Sequence, residues 1–172
     1  SITEGEVSEA FQFAALHQLP IIFLVQDNEW GISVKKEEAR TSDAYDFAAG
    51  FVGLERMKFN GTDFVESFTQ MKQAFDFVRS EQKPLLVCAR TVLIGHHTSG
   101  VRREFYRDEA DLEKHRSEDP GIILKNYLLN EGFEEDQLKE IESDARKIVE
   151  QDFEKAIAAE EPKPESVEDF VF

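Results

Sequence analysis

Apolar residues along this chain are arranged in two distinct ways. Val7, Ala10, Phe11, Ala14 and Ala15 recur at helical spacing behind Thr3 and Glu6, whose order fits a capping box. They predict a first helix ending near His17 to Leu19, with Pro20 as its stop. Pro20-Ile-Ile-Phe-Leu-Val25 is instead an unbroken apolar run, the pattern of a strand buried on both faces, and predicts a strand over Ile21 to Gln26. A short helix from Ser42 or Asp43 to Phe51 and a short strand over Arg56 to Phe59 come next. After the turn Asn60-Gly61, Asp63 or Thr62 can cap a helix over Phe64 to Arg79, whose Phe64, Phe68, Met71, Phe75 and Val78 keep one stripe. Lys83-Pro84 then leads into an apolar strand, Leu85 to Leu93. Helices alternating with strands in this way predict an α/β fold: a parallel sheet with helices on both faces, followed by C-terminal helices.

Past Gly95 the pattern breaks. Residues 96 to 119 are polar and irregular apart from a turn at Asp108 to Glu113, and a loop that long after a strand is a candidate for function. Asp119-Pro120 opens a helix through Ile122, Ile123, Tyr127, Leu128 and Leu129, with Gly132 as its end. A long amphipathic helix follows over Glu135 to Ala159. Glu160-Glu-Pro-Lys-Pro-Glu165 predicts an extended linker or tail over 160–172, so residues 1–159 form the domain proper.

The chain has 172 residues, enough for one α/β domain and too few for two comfortable ones. Its net charge of −16 leaves no basic stripe to neutralise phosphates, which argues against nucleic acid as a partner. Acidic residues crowd Glu134 to Glu165, as on a solvated helical face. The single cysteine, Cys88, lies inside Pro84-Leu-Leu-Val-Cys-Ala89 and reads as a core residue in a reducing compartment, so a cytoplasmic setting is expected. No run approaches the roughly 18 apolar residues of a membrane helix, and no basic segment followed by an apolar one is visible at the start to suggest a signal peptide. Because Ser1 is not an initiator Met and a helix begins almost at once, the sequence is expected to start inside a domain.

Candidate chemistry lies at two strand ends. In open α/β sheets ligands bind beyond the carboxyl ends of the strands, and there the first apolar run gives way to Gln26, Asp27 and Asn28, followed by the only tryptophan, Trp30. An Asn side-chain oxygen beside exposed carbonyls suits a hard cation such as Mg²⁺, though an Asn after a strand is also a common turn former. The second end is Ile94-Gly-His-His-Thr-Ser-Gly100. Adjacent histidines on an extended segment point to opposite sides, so one can face a pocket while the other faces the scaffold.

Several segments together resemble a known family. Glu4-Gly5 and Phe11-Gln-Phe-Ala-Ala15, then Leu19 through Asn28, then Trp30-Gly-Ile-Ser33, resemble the thiamine diphosphate motif region of the 2-oxo acid dehydrogenase decarboxylating component, alpha subunit, particularly the branched-chain type. That motif opens with Gly-Asp-Gly, which would fall just before Ser1. Asn60-Gly-Thr-Asp63 is similar to the family's Asp-Gly-Asn-Asp turn, and Gly95-His-His-Thr-Ser99 to its Gly-His-His-Ser-Thr loop. The spacing to Tyr106-Arg107, together with Asp119-Pro120 and Tyr127-Leu-Leu129, extends the similarity over residues 4 to 155.

The resemblance implies a thiamine diphosphate-binding fold with thiamine diphosphate and Mg²⁺ as cofactors. It implies Asn28 as a metal ligand through its side chain and Trp30 through its carbonyl. Ser1, Ile2, Ser33 and His97 are implied to bind the cofactor, and His97 to be catalytic in acyl transfer to a lipoyl group, with His96 orienting the loop. Implied partners are a beta subunit or fused beta domain and a lipoyl acyltransferase component, in an oligomer, with the isolated chain inert. Departures are visible too: Trp30 stands where a Tyr is usual, Leu93 where an Arg often precedes Ile-Gly-His-His, and Val101, Arg102 and Arg103 where acidic and small residues are usual. Thr98 occupies the place of a serine phosphorylated in mitochondrial relatives, so that regulation is not implied. A transketolase-type thiamine enzyme and a non-catalytic assembly domain with the same fold are the alternatives.

Overall fold

The computed structural model describes residues 2–169, which fall into two compact units divided between Asn126 and Tyr127. The first holds a three-stranded parallel sheet in the order β1-β3-β2, with β1 Ile22–Asp27, β2 Glu55–Asn60 and β3 Leu85–Arg90. The central strand is the buried one: Leu85, Leu86, Val87, Cys88 and Ala89 are all inside. Alternate side chains of a strand point to opposite faces, so β3 feeds two cores. Leu86 and Cys88 pack with Phe11 of α1 (Gly5–Leu16) and with Ala44 and Ala48 of α3 (Ala44–Ala48). Leu85, Val87 and Ala89 pack with Ala74 and Val78 of α4 (Phe64–Glu81). The expected parallel sheet with helices on both faces is what forms, at about 1.5–3 kcal/mol for each large apolar side chain taken out of water.

Local chemistry fixes the ends of these elements. Helix α1 closes with Gln18 in the left-handed region (φ 51°), the Leu19 N–H donating to Ala14 O (3.0 Å) and the Gln18 N–H to Ala15 O (3.3 Å), before Pro20 forbids continuation. Its start differs from the capping box expected at Thr3. Helical bonding begins when Val7 N–H donates to Glu4 O, which makes Glu4 the cap and puts Thr3 one residue too early. Helices α3 and α4 are capped by Asp43 and Asp63, whose carboxylates each accept a backbone N–H three residues on, at 2.9 Å.

The structure differs from the sequence expectation in four places. Lys36–Ala39 forms a one-turn helix, α2, too short to leave a periodic signal. The polar stretch 96–119 contains a 3₁₀ turn at Arg103–Phe105 and a full helix, α5, over Glu109–Ser117, whose buried residues are only Leu112 and His115. The α4 stripe is only partly core: Phe64, Phe68 and Phe75 stay 54%, 66% and 47% exposed while Ala74 and Val78 are buried. Strand β3 also ends at Arg90, short of Leu93.

In the second unit the end of α6 (Pro120–Asn130) is stopped by Gly132 at φ 93°, with the Phe133 N–H bonded to Leu128 O at 3.1 Å. Helix α7 (Glu135–Ala158) follows, with Leu138 buried and Ile141, Ile148, Val149, Phe153 and Ile157 exposed. A short 3₁₀ turn at Pro164–Glu168 interrupts the stretch expected to be extended. Among the described residues no helix is long and apolar enough to cross a membrane.

The carboxyl end of β3 is bracketed on both sides. Thr91 N–H donates to the Asp27 carbonyl at 2.9 Å, and Gly61 N–H to the Arg90 carbonyl at 2.7 Å. A Cβ on Gly61 would lie 2.8 Å from the Arg90 oxygen and 3.1 Å from Ala89 Cβ. Gly61→Ala is therefore expected to destabilise the domain by about 1–3 kcal/mol. Denaturant unfolding checks this, and an unchanged midpoint would contradict it.

Candidate active site

Because β1 and β3 are adjacent and parallel, with Asp27 opposite Arg90, the segments that leave them emerge side by side. Between them lies a cleft of about 380 Å³ whose lining includes Ile2, Asn28, Trp30 and His97. Of the residues implied as a site, these four are brought together. Ser33 is exposed in the bend between Ile32 and Val34, which line the cleft while Ser33 does not. Ser1 lies outside the described residues.

The turn after β1 is held by its own polar side chains. Asp27 Oδ1 accepts the Glu29 N–H at 3.2 Å, and Asn28 Oδ1 accepts the Trp30 N–H at 3.0 Å, two successive Asx-type bonds that let Glu29 sit at φ 67°. Arg40 donates to both oxygens of Asp27 at 2.6 Å, neutralising a carboxylate at the cleft wall. The Asn28 oxygen has two lone pairs, so the bond to Trp30 leaves one for a ligand. The turn thus offers a neutral amide oxygen and backbone carbonyls.

Trp30 is buried and surrounded by cations and a ring. Lys35 Nζ lies 5.4 Å and Arg107 Cζ 5.2 Å from its ring, and the Tyr106 ring is 5.6 Å away. On the facing loop, His96 Nδ1 accepts the Arg103 N–H at 3.2 Å, which turns His96 toward its own loop while His97 lines the cleft. Cys88 takes no part; it is buried in the sheet, and burial pushes its thiol pKa up.

Several residues that shape the cleft were not singled out by the sequence. Glu29 receives Lys36 of α2 at 2.5 Å and Lys114 of α5 at 2.9 Å, tying three segments together. Buried Arg107 and His115 flank half-buried Asp111, with the Arg107 guanidinium over Trp30, and Tyr106 Oη, Arg107 Nη2 and His115 Nε2, like Ser67 Oγ of α4, are buried without a hydrogen-bond partner. The only sequence signal was the spacing of Tyr106-Arg107 from His97. Among the described residues no group of three or more His, Cys, Asp or Glu is placed to hold a metal ion.

An α/β domain with a ligand-sized cleft at adjoining strand ends is a cofactor-binding architecture in general. Comparison with known proteins narrows it: the family described as dehydrogenase E1 component matches residues 1–165, and the chain belongs to that family. It is 32% identical over 153 residues to a pyruvate dehydrogenase E1 component subunit alpha of Rickettsia felis, a match covering 87% of this chain and 46% of that protein. Against the mitochondrial 2-oxoisovalerate dehydrogenase subunit alpha of Mus musculus it is 30% identical over 164 residues, covering 94% and 37%. Against the 2-oxoisovalerate dehydrogenase subunit alpha of Bacillus subtilis it is 28% identical over 174 residues, covering 100% and 52%. The chain therefore spans about half the length of these relatives or less.

The Glu29 hub has a measurable signature. Burial opposes its ionisation, but the hydrogen bonds and charges of Lys36 and Lys114 prevail and lower its pKa from 4.5 to about 2. A carboxylate held below its unfolded value stabilises the fold above that value, and the contribution fades as the pH falls toward the folded one. Glu29→Gln is expected to cost about 1–2 kcal/mol at pH 7, after allowing for solvent screening, and roughly half that or less near pH 3. Urea unfolding across that range tests it; a difference independent of pH would contradict the ion pairs.

Proposed function

We propose that this chain is part of the alpha half of a thiamine diphosphate-dependent 2-oxo acid dehydrogenase, branched-chain type favoured. Residues 1–159 form the C-terminal part of its cofactor domain, and 160–172 a linker or tail. The observation that carries this reading is the shared cleft: Asn28, Trp30, Ile2 and His97, implied as one site by the family's motifs, line it together. Family membership and the alpha subunits among the relatives support it.

The donor set fits the cofactors proposed. Mg²⁺ prefers hard oxygen ligands and is commonly held by one or two protein groups plus substrate phosphates. Asn28 Oδ1 and the Trp30 carbonyl are ligands of that kind, and the Asx bonds and the Arg40–Asp27 pair hold the turn that presents them. His97, a residue type able to give or take a proton near neutral pH, lines the same cleft, which supports assigning it the acyl transfer step. When bound, thiamine diphosphate supplies the electron sink for decarboxylation and carries the acyl group toward lipoyl, while the protein supplies position and charge. The remaining donors come from the rest of the alpha half and from a beta subunit or fused beta domain, so the chain alone is inert. The lipoyl acyltransferase component is the further partner, in an oligomeric, cytoplasmic assembly.

Calorimetric titration with thiamine diphosphate and Mg²⁺ tests this. The titration compares the chain with an alpha half extended upstream and joined to its beta half. Binding is expected in the complete form only, weakened at least about tenfold by Asn28→Ala. His97→Ala is expected to lower turnover of the complete enzyme about 10²–10⁴-fold. Absence of Mg²⁺-dependent binding in the complete form would overturn the reading in favour of a non-catalytic assembly domain.

A further inference from the structure

Leu93 lies beyond the last residue of β3, Arg90, and before His97, and both of its peptide groups are bonded to side chains of the segment 107–115. Its N–H donates to His115 Nδ1 at 2.9 Å. Its carbonyl accepts from Arg107 Nη1 at 2.7 Å. Neither side chain is near solvent, with His115 2% and Arg107 4% exposed. The two are fixed relative to one another by helix α5. Arg107 directly precedes the cap residue Asp108, which accepts the Asp111 N–H at 2.8 Å, and His115 lies further along the same helix. Asp111 Oδ2 accepts from Arg107 Nε at 2.5 Å and Oδ1 faces His115 Nε2 at 3.8 Å. The same Arg107 guanidinium lies over Trp30.

We infer that His115 and Arg107 are positioning residues, which grip the Leu93 peptide from both sides and so set where the following loop presents His97 to the cleft. For Nδ1 to accept, the imidazole must be neutral with its proton on Nε2. Burial, and then the charge of Arg107, hold the His115 pKa below its ordinary value and favour that form; Asp111 and Glu29 pull the other way, and Lys114 adds to the lowering. Arg107 joins the grip to the turn carrying Asn28, so one guanidinium touches both loops of the cleft. The importance of His97 rests on the function proposed above; the grip itself does not.

Two substitutions separate positioning from bulk. His115→Leu keeps volume and removes the acceptor, whereas His115→Asn retains an oxygen where Nδ1 stands. NMR of the chain would follow amide hydrogen exchange at Leu93 and the ring signals of His97. In His115→Leu the Leu93 amide is expected to exchange about tenfold faster or more, the measure of one lost hydrogen bond. The His97 ring signals are expected to shift. Both should return toward the parent in His115→Asn. Unchanged Leu93 exchange in a folded His115→Leu protein, or unmoved His97 signals, would overturn the inference. If His115→Leu does not fold, His115→Asn decides: a protected Leu93 amide supports the grip and an unprotected one refutes it. Neither readout involves cofactor, so failure of thiamine diphosphate to bind would count against the proposed function alone.

Discussion

The site depends on one pairing, β1 against β3. Their parallel register sets Asp27 opposite Arg90 and carries the ladder one bond further, from Thr91 N–H to the Asp27 carbonyl. Two loops far apart in sequence must then leave the sheet as neighbours. Burial drives this pairing, because β3 supplies apolar side chains to both helical layers and is covered only when β1 and β2 flank it. A change that displaced β3 would separate Asn28 from His97 without touching either.

Pairing brings the loops together but does not give them shape, and polar side chains do that work. Asp27 and Asn28 fold their turn through bonds to the next backbone N–H groups. Glu29 ties the turn to α2 and α5 through two lysines. Arg107 stacks over Trp30 on one loop and bonds Leu93 on the other. Charged groups so placed are costly unless matched, and here each carboxylate has its cation: Asp27 has Arg40, Asp111 has Arg107. These bonds hold the turn that presents the neutral oxygen of Asn28 at the cleft, the donor type that hard cations take.

Much of the fold was legible because burial leaves a periodic trace. The unbroken run at β3, the caps at Asp43 and Asp63 and the stop at Gly132 all follow from local rules. Helix α5 was not legible, since its buried residues include a histidine and its hydrophobic face is nearly absent. Phe64, Phe68 and Phe75 had the period of a core stripe yet stay exposed, because period reports a face and not what covers it. In the site, Asn28, Trp30 and His97 could be singled out from motifs. Their supports could not: Lys114 reaches Glu29 across 85 residues, and no local pattern encodes such a partner. Leu93, legible as the end of an apolar run and as a departure from the usual Arg, gave no sign that its backbone would be bonded by His115 and Arg107.

The central claim is that the two loops form one cation and diphosphate site. Mn²⁺ in place of Mg²⁺ tests it directly, in the complete alpha and beta enzyme with thiamine diphosphate, by paramagnetic broadening of selectively labelled Trp30 and His97. The account expects both residues to broaden only when metal and thiamine diphosphate are present together. Broadening of neither, or of Trp30 without His97, would contradict it.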